Sequence, residues 1–134
     1  MRRSIAVLVL SGALAACGGS ATTTLRAEGT ERAPAAKADI DVEREGGHND
    51  IDLQISELAD PRTLGEQFSR YGVWMIRDDG STSLVGFLEY QSDIEYGSLE
   101  AQAPLDPVDI VVTAEGAEIG SAPSDVVVLR RRVQ

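Results

Sequence analysis

From residue 38 the chain alternates strictly between apolar and charged positions. Ala38, Ile40 and Val42 are apolar, and Asp39, Asp41, Glu43 and Glu45 are acidic. The same period of two returns at Ile51, Leu53 and Ile55, with Asp50, Asp52 and Gln54 between and before them. Such a pattern predicts two half-buried strands. Gly46-Gly47 lies between them and suits a two-residue hairpin turn, since glycine accepts positive φ at both central positions. That turn pairs Val42 with Ile51, Ile40 with Leu53 and Ala38 with Ile55 on one face. On the other face it sets Asp41 opposite Asp52 and Glu43 opposite Asp50.

Residues 57 to 70, with Pro61 and Gly65, read as a crossing loop holding at most one helical turn. Tyr71-Gly72-Val73-Trp74-Met75-Ile76 is apolar on both faces, as a central strand is, and Asp78-Asp79-Gly80-Ser81 turns the chain. Trp74 is the expected centre of the core. Residues 84 to 90, 97 to 103, 108 to 115 and 125 to 131 also have strand composition, and turn residues separate them. Seven short strands and no long helix predict an all-β protein, a single β-sandwich spanning residues 38 to 134. With one Trp, two Phe and three Tyr, its core must be built from Val, Ile, Leu and Ala.

Ahead of this lie two segments of different character. Met1-Arg2-Arg3 is a positive start, residues 5 to 14 are mostly apolar, and Leu14-Ala15-Ala16-Cys17 closes the run. The run is about half the ~20 residues that span a bilayer, so it reads as a secretory signal and not a permanent anchor. Residues 17 to 37 carry Gly18-Gly19, a threonine run and Pro34 without apolar periodicity, and read as a flexible tether.

Leu14-Ala15-Ala16-Cys17 resembles the lipobox of bacterial lipoproteins. The resemblance implies removal of residues 1 to 16, a diacylglyceryl thioether on Cys17 and acylation of the new amino terminus with a fatty acid such as palmitate. It implies a lipid-anchored protein of the bacterial cell envelope, held to the membrane through the lipid on Cys17. Gly18 is not the Asp associated with inner-membrane retention, so the outer membrane is the expected destination where two membranes exist. Further along, Tyr71-Gly72-Val73-Trp74, Gly86-Phe87-Leu88, Val112-Thr113-Ala114-Glu115 and Pro123-Ser124 resemble the extracytoplasmic domain of bacterial anti-sigma factors. That resemblance implies an immunoglobulin-like sandwich and, as a functional alternative, an accessory sensor domain of an envelope signalling system. The helical metal-binding domain and transmembrane helix of those regulators have no counterpart here. The paired cysteines and tyrosine corner of immunoglobulin domains are missing too.

Charge and residue inventory bound the chemistry. With 12 basic and 22 acidic residues the formal charge is −10, which argues against nucleic acid and anionic headgroups and favours a basic envelope protein as partner. The single cysteine leaves no internal disulfide. His48 is the only histidine, so neither a usual zinc site nor a Ser-His-Asp arrangement can be assembled from this chain. No cofactor motif is present, and a non-catalytic binding or structural module is expected, with a small envelope enzyme using an acidic site as the alternative. Asp41, Glu43, Asp50 and Asp52 are the one candidate cluster. Their oxygen-only donor set favours calcium, bound weakly at best because a flat strand face offers ligands from one side. An edge strand kept charged against aggregation is the preferred explanation of that cluster. Arg130-Arg131-Arg132 reads as solvated gatekeeper charge beside an apolar last strand.

Overall fold

The alternating segments form the hairpin that their spacing predicts. Strands β2 (Lys37–Glu45) and β3 (His48–Ser56) are antiparallel, with Val42 opposite Ile51, Ile40 opposite Leu53 and Ala38 opposite Ile55. All six of these side chains are buried. A slip of one residue would turn every one of them to water, and at about 1.5–3 kcal/mol for each large aliphatic side chain that fixes the register. The turn needs only one residue in the left-handed region: Gly46 has φ +59 and Gly47 does not share it, the pattern of a type II′ turn.

The structure is a computed structural model that describes residues 21–134. Within them run seven further strands: β1 (Thr22–Glu28), β4 (Arg70–Arg77), β5 (Thr82–Phe87), β6 (Glu89–Gln91), β7 (Tyr96–Pro104), β8 (Val108–Glu115) and β9 (Val127–Val133). A single 3-10 turn, Pro61–Leu64, is capped by Asp60, whose carboxylate accepts from the Arg62 backbone N–H. The strands make two antiparallel sheets in a sandwich-like all-β fold, β1-β2-β3-β7-β6 and β5-β4-β8-β9. No helix among the described residues is long and apolar enough to cross a membrane.

Nine strands stand where seven are expected, and both additions have a physical cause. The segment read as 84 to 90 is two strands because the chain changes sheets at Leu88. β5 pairs with β4 in one sheet, β6 with β7 in the other, and the Leu88 N–H donates to the Tyr71 carbonyl at the corner. Leu88 is buried at this corner against Gly97, where a Cβ would lie 3.0 Å from Leu88 Cδ1.

The second addition is β1, which lies inside the segment read as a tether. Thr23, Leu25 and Ala27 pair along β2 opposite Val42, Ile40 and Ala38. The threonines supply β propensity in place of hydrophobicity, which suffices for an outermost strand that is half-buried only at Leu25 and Ala27. Its following loop is tied down as well, by Gly29 N–H to Ala36 O and Thr30 N–H to Val128 O. Residues 22 to 37 therefore belong to the folded unit and not to a linker. Cys17 and the signal segment 1 to 16 lie outside the described residues.

Trp74 is buried, at 1% exposure, but it is not between the sheets. Its neighbours Tyr71, Val73 and Met75 join the inter-sheet cluster with Val112, Ile110 and Ala114, and Trp74 takes the opposite face of β4. There it stands beside Gly72, Val111 and Thr113. A Cβ on Gly72 would fall 3.1 Å from Trp74 Nε1 and 3.0 Å from Glu115 Cγ, so glycine makes room for the indole. The indole N–H donates to Thr113 Oγ1 at 3.0 Å, and the Thr113 hydroxyl donates to the Glu115 carboxylate. The Ser124 N–H donates to that same carboxylate at 3.0 Å. Arg70 reaches the carbonyls of Gly116 and Ala117, and Thr82 reaches that of Ser121, so the connection from β8 to β9 is pinned at several points on this side of the sheet.

Two tyrosines do the anchoring that the missing tyrosine corner would. Tyr71 donates its hydroxyl to the Ala59 carbonyl at 2.6 Å and Tyr90 to that of Leu58 at 2.5 Å, with their rings edge to face at 5.5 Å. Burial pushes Tyr90 up to about 12, helped by the charges of Asp60 and Glu95. Burial raises Tyr71 further, with Tyr90 and Asp60 adding to it. A folded-state pKa above the unfolded value gives stability that is complete below about pH 10 and is lost as pH rises through the folded value. The domain is expected to hold its circular dichroism to about pH 10 and then unfold. Tyr71→Phe, which removes one of the titrating groups, should shift that alkaline transition upward while costing about 1 kcal/mol at neutral pH.

Candidate functional site

The carboxylates singled out in the sequence meet on the outer face of the first sheet in the expected register. Asp41 faces Asp52 and Glu43 faces Asp50 across β2 and β3. Opposed residues in such ladders have Cβ atoms about 5 Å apart. β7 extends the row, because Asp52 also faces Glu100 and Asp50 faces Gln102. On the far side β1 brings Thr24 opposite Asp41 and Thr22 opposite Glu43. The result is a four-strand-wide acidic surface with a shallow depression of 610 Å³ lined by Asp41, Glu43, Asp50, Asp52 and Glu100.

Three contacts relieve the crowding of like charge. The Thr24 hydroxyl donates to Asp41 Oδ1 at 2.5 Å and the Gln54 amide to Asp52 Oδ2 at 3.4 Å. His48 Nε2 lies 3.0 Å from Asp50 Oδ1, so the lone histidine is a partner of the acidic face and not a free loop residue. Arg44, the base next to Glu43 in sequence, supplies no counter-charge because it is on the other side. It pairs opposite Asn49, in line with the inward-facing Val42.

The explanation of this face as a charged edge is overturned by the sheet order. β2 and β3 are interior strands, and the edges of the sheet are β1 and β6. An interior strand has no free backbone groups to protect, so repulsion between these carboxylates serves no purpose against edge pairing. As a cation site the face is also poorly formed. Among the described residues no group of three or more His, Cys, Asp or Glu side chains is placed to hold a metal ion. Asp41, Glu43, Asp50 and Asp52 share a face but project in parallel, whereas calcium takes 6–8 oxygens from a wrapping loop. Calcium and magnesium at equal ionic strength should therefore raise the melting temperature equally. A calcium-specific increase abolished by Asp41→Asn/Asp52→Asn would instead mark a metal site.

The carboxyl-terminal arginines divide by face. Arg130 binds Asp109 at 3.0 Å, and Arg132 binds Asp78 at 2.8 Å and Asp109 at 3.5 Å. Arg131, between them, turns inward opposite Ile110. The three are thus two paired outward charges and one inward one, not a solvated gatekeeper run.

Sequence reasoning missed Glu100 and Gln102 and left Arg131 in solvent. Alternation is visible at Leu99, Glu100, Ala101, Gln102 and Ala103. What placed Glu100 on the acidic face is the long-range pairing of β3 with β7, which local patterning does not reveal.

No protein-family model, curated protein or solved structure matches this chain.

Proposed function

We propose that this chain is a lipid-anchored, non-catalytic binding module of the bacterial cell envelope, and that its acidic sheet face receives a basic partner protein. The observation that carries the binding role is the interior position of the acidic ladder. Five carboxylates crowd a surface where edge protection does not call for them and where no metal cluster forms among the described residues. Like charges at this spacing cost stability, and a cationic partner recovers that cost on binding. The lipobox resemblance at Leu14-Ala15-Ala16-Cys17 supports the anchoring. An immunoglobulin-like type is supported by strand order: β2-β3-β7-β6 and β5-β4-β8-β9 follow the A-B-E-D and C′-C-F-G arrangement, with β1 added beside the first. Trp74 lies on the strand that corresponds to C, although it takes the outer face of the sheet.

The test is site-specific photo-crosslinking from Gln54 and Gln102, which flank the carboxylates, in intact envelopes. One basic protein should be captured, with yield falling as salt rises. Asp41→Asn/Asp52→Asn/Glu100→Gln should abolish capture while raising thermal stability. Capture that survives the triple substitution would refute the acidic face as the interface.

A further inference from the structure

The two sheets leave a mouth between β1 and β9, at the end of the sandwich where the described chain begins. It is a 430 Å³ cleft with an apolar floor of Leu25, Val42 and Leu105. Arg44, Arg131 and Asn49 stand around it, with Ala21 at its rim.

Two features set these arginines apart. The protein carries nearly twice as many acids as bases, and Arg130 and Arg132 each find a carboxylate. Among the described residues neither Arg44 nor Arg131 has an ion pair, and Arg131 Nε is shut away from solvent with no hydrogen-bond acceptor. A buried guanidinium N–H without an acceptor is costly, because it has given up water and gained nothing. Asn49, 6% exposed, donates its amide to the Pro104 carbonyl at 3.5 Å and completes a polar collar above the apolar floor.

We propose that this mouth binds a phosphate oxyanion carried on an apolar stem. Guanidinium forks match phosphate oxygens in geometry and charge, and Leu25, Val42 and Leu105 give the stem a surface to cover. The overall negative charge does not oppose this, because among the described residues no Asp or Glu lines the mouth, whereas Arg44 and Arg131 do. The site stands on its own geometry, whereas the source of the ligand rests on the Cys17 reading. Ala21 is four residues from Cys17, at most about 14 Å of chain, so a lipid on that cysteine would bring the mouth to the headgroups and make a phospholipid the ligand.

The experiment follows the Arg131 Nε–H resonance of the full chain in uncharged detergent micelles. Phosphatidylglycerol, diacylglycerol and inorganic phosphate are titrated separately. Phosphatidylglycerol should shift the resonance saturably, diacylglycerol should leave it unmoved, and inorganic phosphate should bind at least about tenfold more weakly. Arg44→Gln and Arg131→Lys should each weaken phosphatidylglycerol binding by about tenfold or more, whereas Arg130→Gln, on the outer face, should not. Phosphate binding as tight as phosphatidylglycerol would keep the oxyanion site and make a free phosphate its ligand. No saturable response to either phosphate, or an equal response to diacylglycerol, would overturn the proposal. Binding of phosphatidylglycerol by a chain that fractionates as soluble would refute the anchor and leave this site standing.

Discussion

Trp74→Ala is expected to cost about 3–5 kcal/mol of folding stability, the range for emptying a buried tryptophan site. Natural domains have about 5–15 kcal/mol in total, so the variant should be near or past its unfolding threshold at room temperature. The loss has two parts that a second variant separates. Trp74→Phe keeps most of the ring and gives up only the bond from Nε1 to Thr113 Oγ1, a loss of about 1 kcal/mol plus a small cavity. Urea denaturation of both variants measures the difference. The position of the indole adds a local signature. Because Trp74 shares its face with the Thr113, Glu115 and Ser124 contacts, amide exchange at Ser124 should rise in Trp74→Ala well before the hairpin of β2 and β3 loosens. Emission from the parent protein should be blue-shifted and resist iodide quenching. A water-like, freely quenched emission would contradict the 1% exposure.

Cys17→Ala should move the protein from the membrane fraction to the soluble one, or leave it as unprocessed precursor, and should end incorporation of labelled fatty acid. A single acyl chain binds membranes only marginally, whereas each buried CH₂ adds about 0.8 kcal/mol, so the several chains that the lipobox implies hold a protein almost irreversibly. The expected change is therefore nearly complete rather than graded. Unchanged labelling and detergent-phase partitioning would remove the anchor from the proposed function. The mobility of the anchored domain is a separate quantity. With β1 beginning at Thr22, five residue steps separate it from Cys17, at most about 18 Å. With a lipid on Cys17, that span would hold the sandwich close to the membrane surface, where a tether through residue 37 would have let it roam.

Local chemistry in the sequence was enough to place the hairpin. Strict alternation around Gly46-Gly47 dictates which residues of β2 and β3 meet, and the carboxylate pairs follow from the same register. What depended on distant partners was not legible. Tyr71 to Ile76 is apolar throughout, so its pattern could not say which face meets the other sheet. Trp74 reads as the core centre because its neighbours are apolar, while the inward places go to Tyr71, Val73 and Met75. The run from 84 to 90 has uninterrupted strand composition, and only the packing of Leu88 over Gly97 reveals a change of sheet. β1 escaped because an edge strand needs little hydrophobicity when its neighbour supplies the core. The acidic face was mistaken for an edge for a related reason: the pairing of β3 with β7 spans more than forty residues and leaves no local trace.

The bonds between Thr30 and β9 bear on how such a chain is made. The Thr30 N–H donates to the Val128 carbonyl and its hydroxyl to that of Val127, so the connection after the first strand is fastened to the last. Val128 and Leu129 are wholly buried, and the second sheet lacks one of its four strands until they arrive. Closing a loop of that length is a slow, entropically opposed step. A polypeptide emerging amino terminus first cannot complete this structure until β9 has been synthesised. For the exported lipoprotein proposed above, this order would leave the second sheet unfinished, and the chain open to a translocation channel, until β9 has been made.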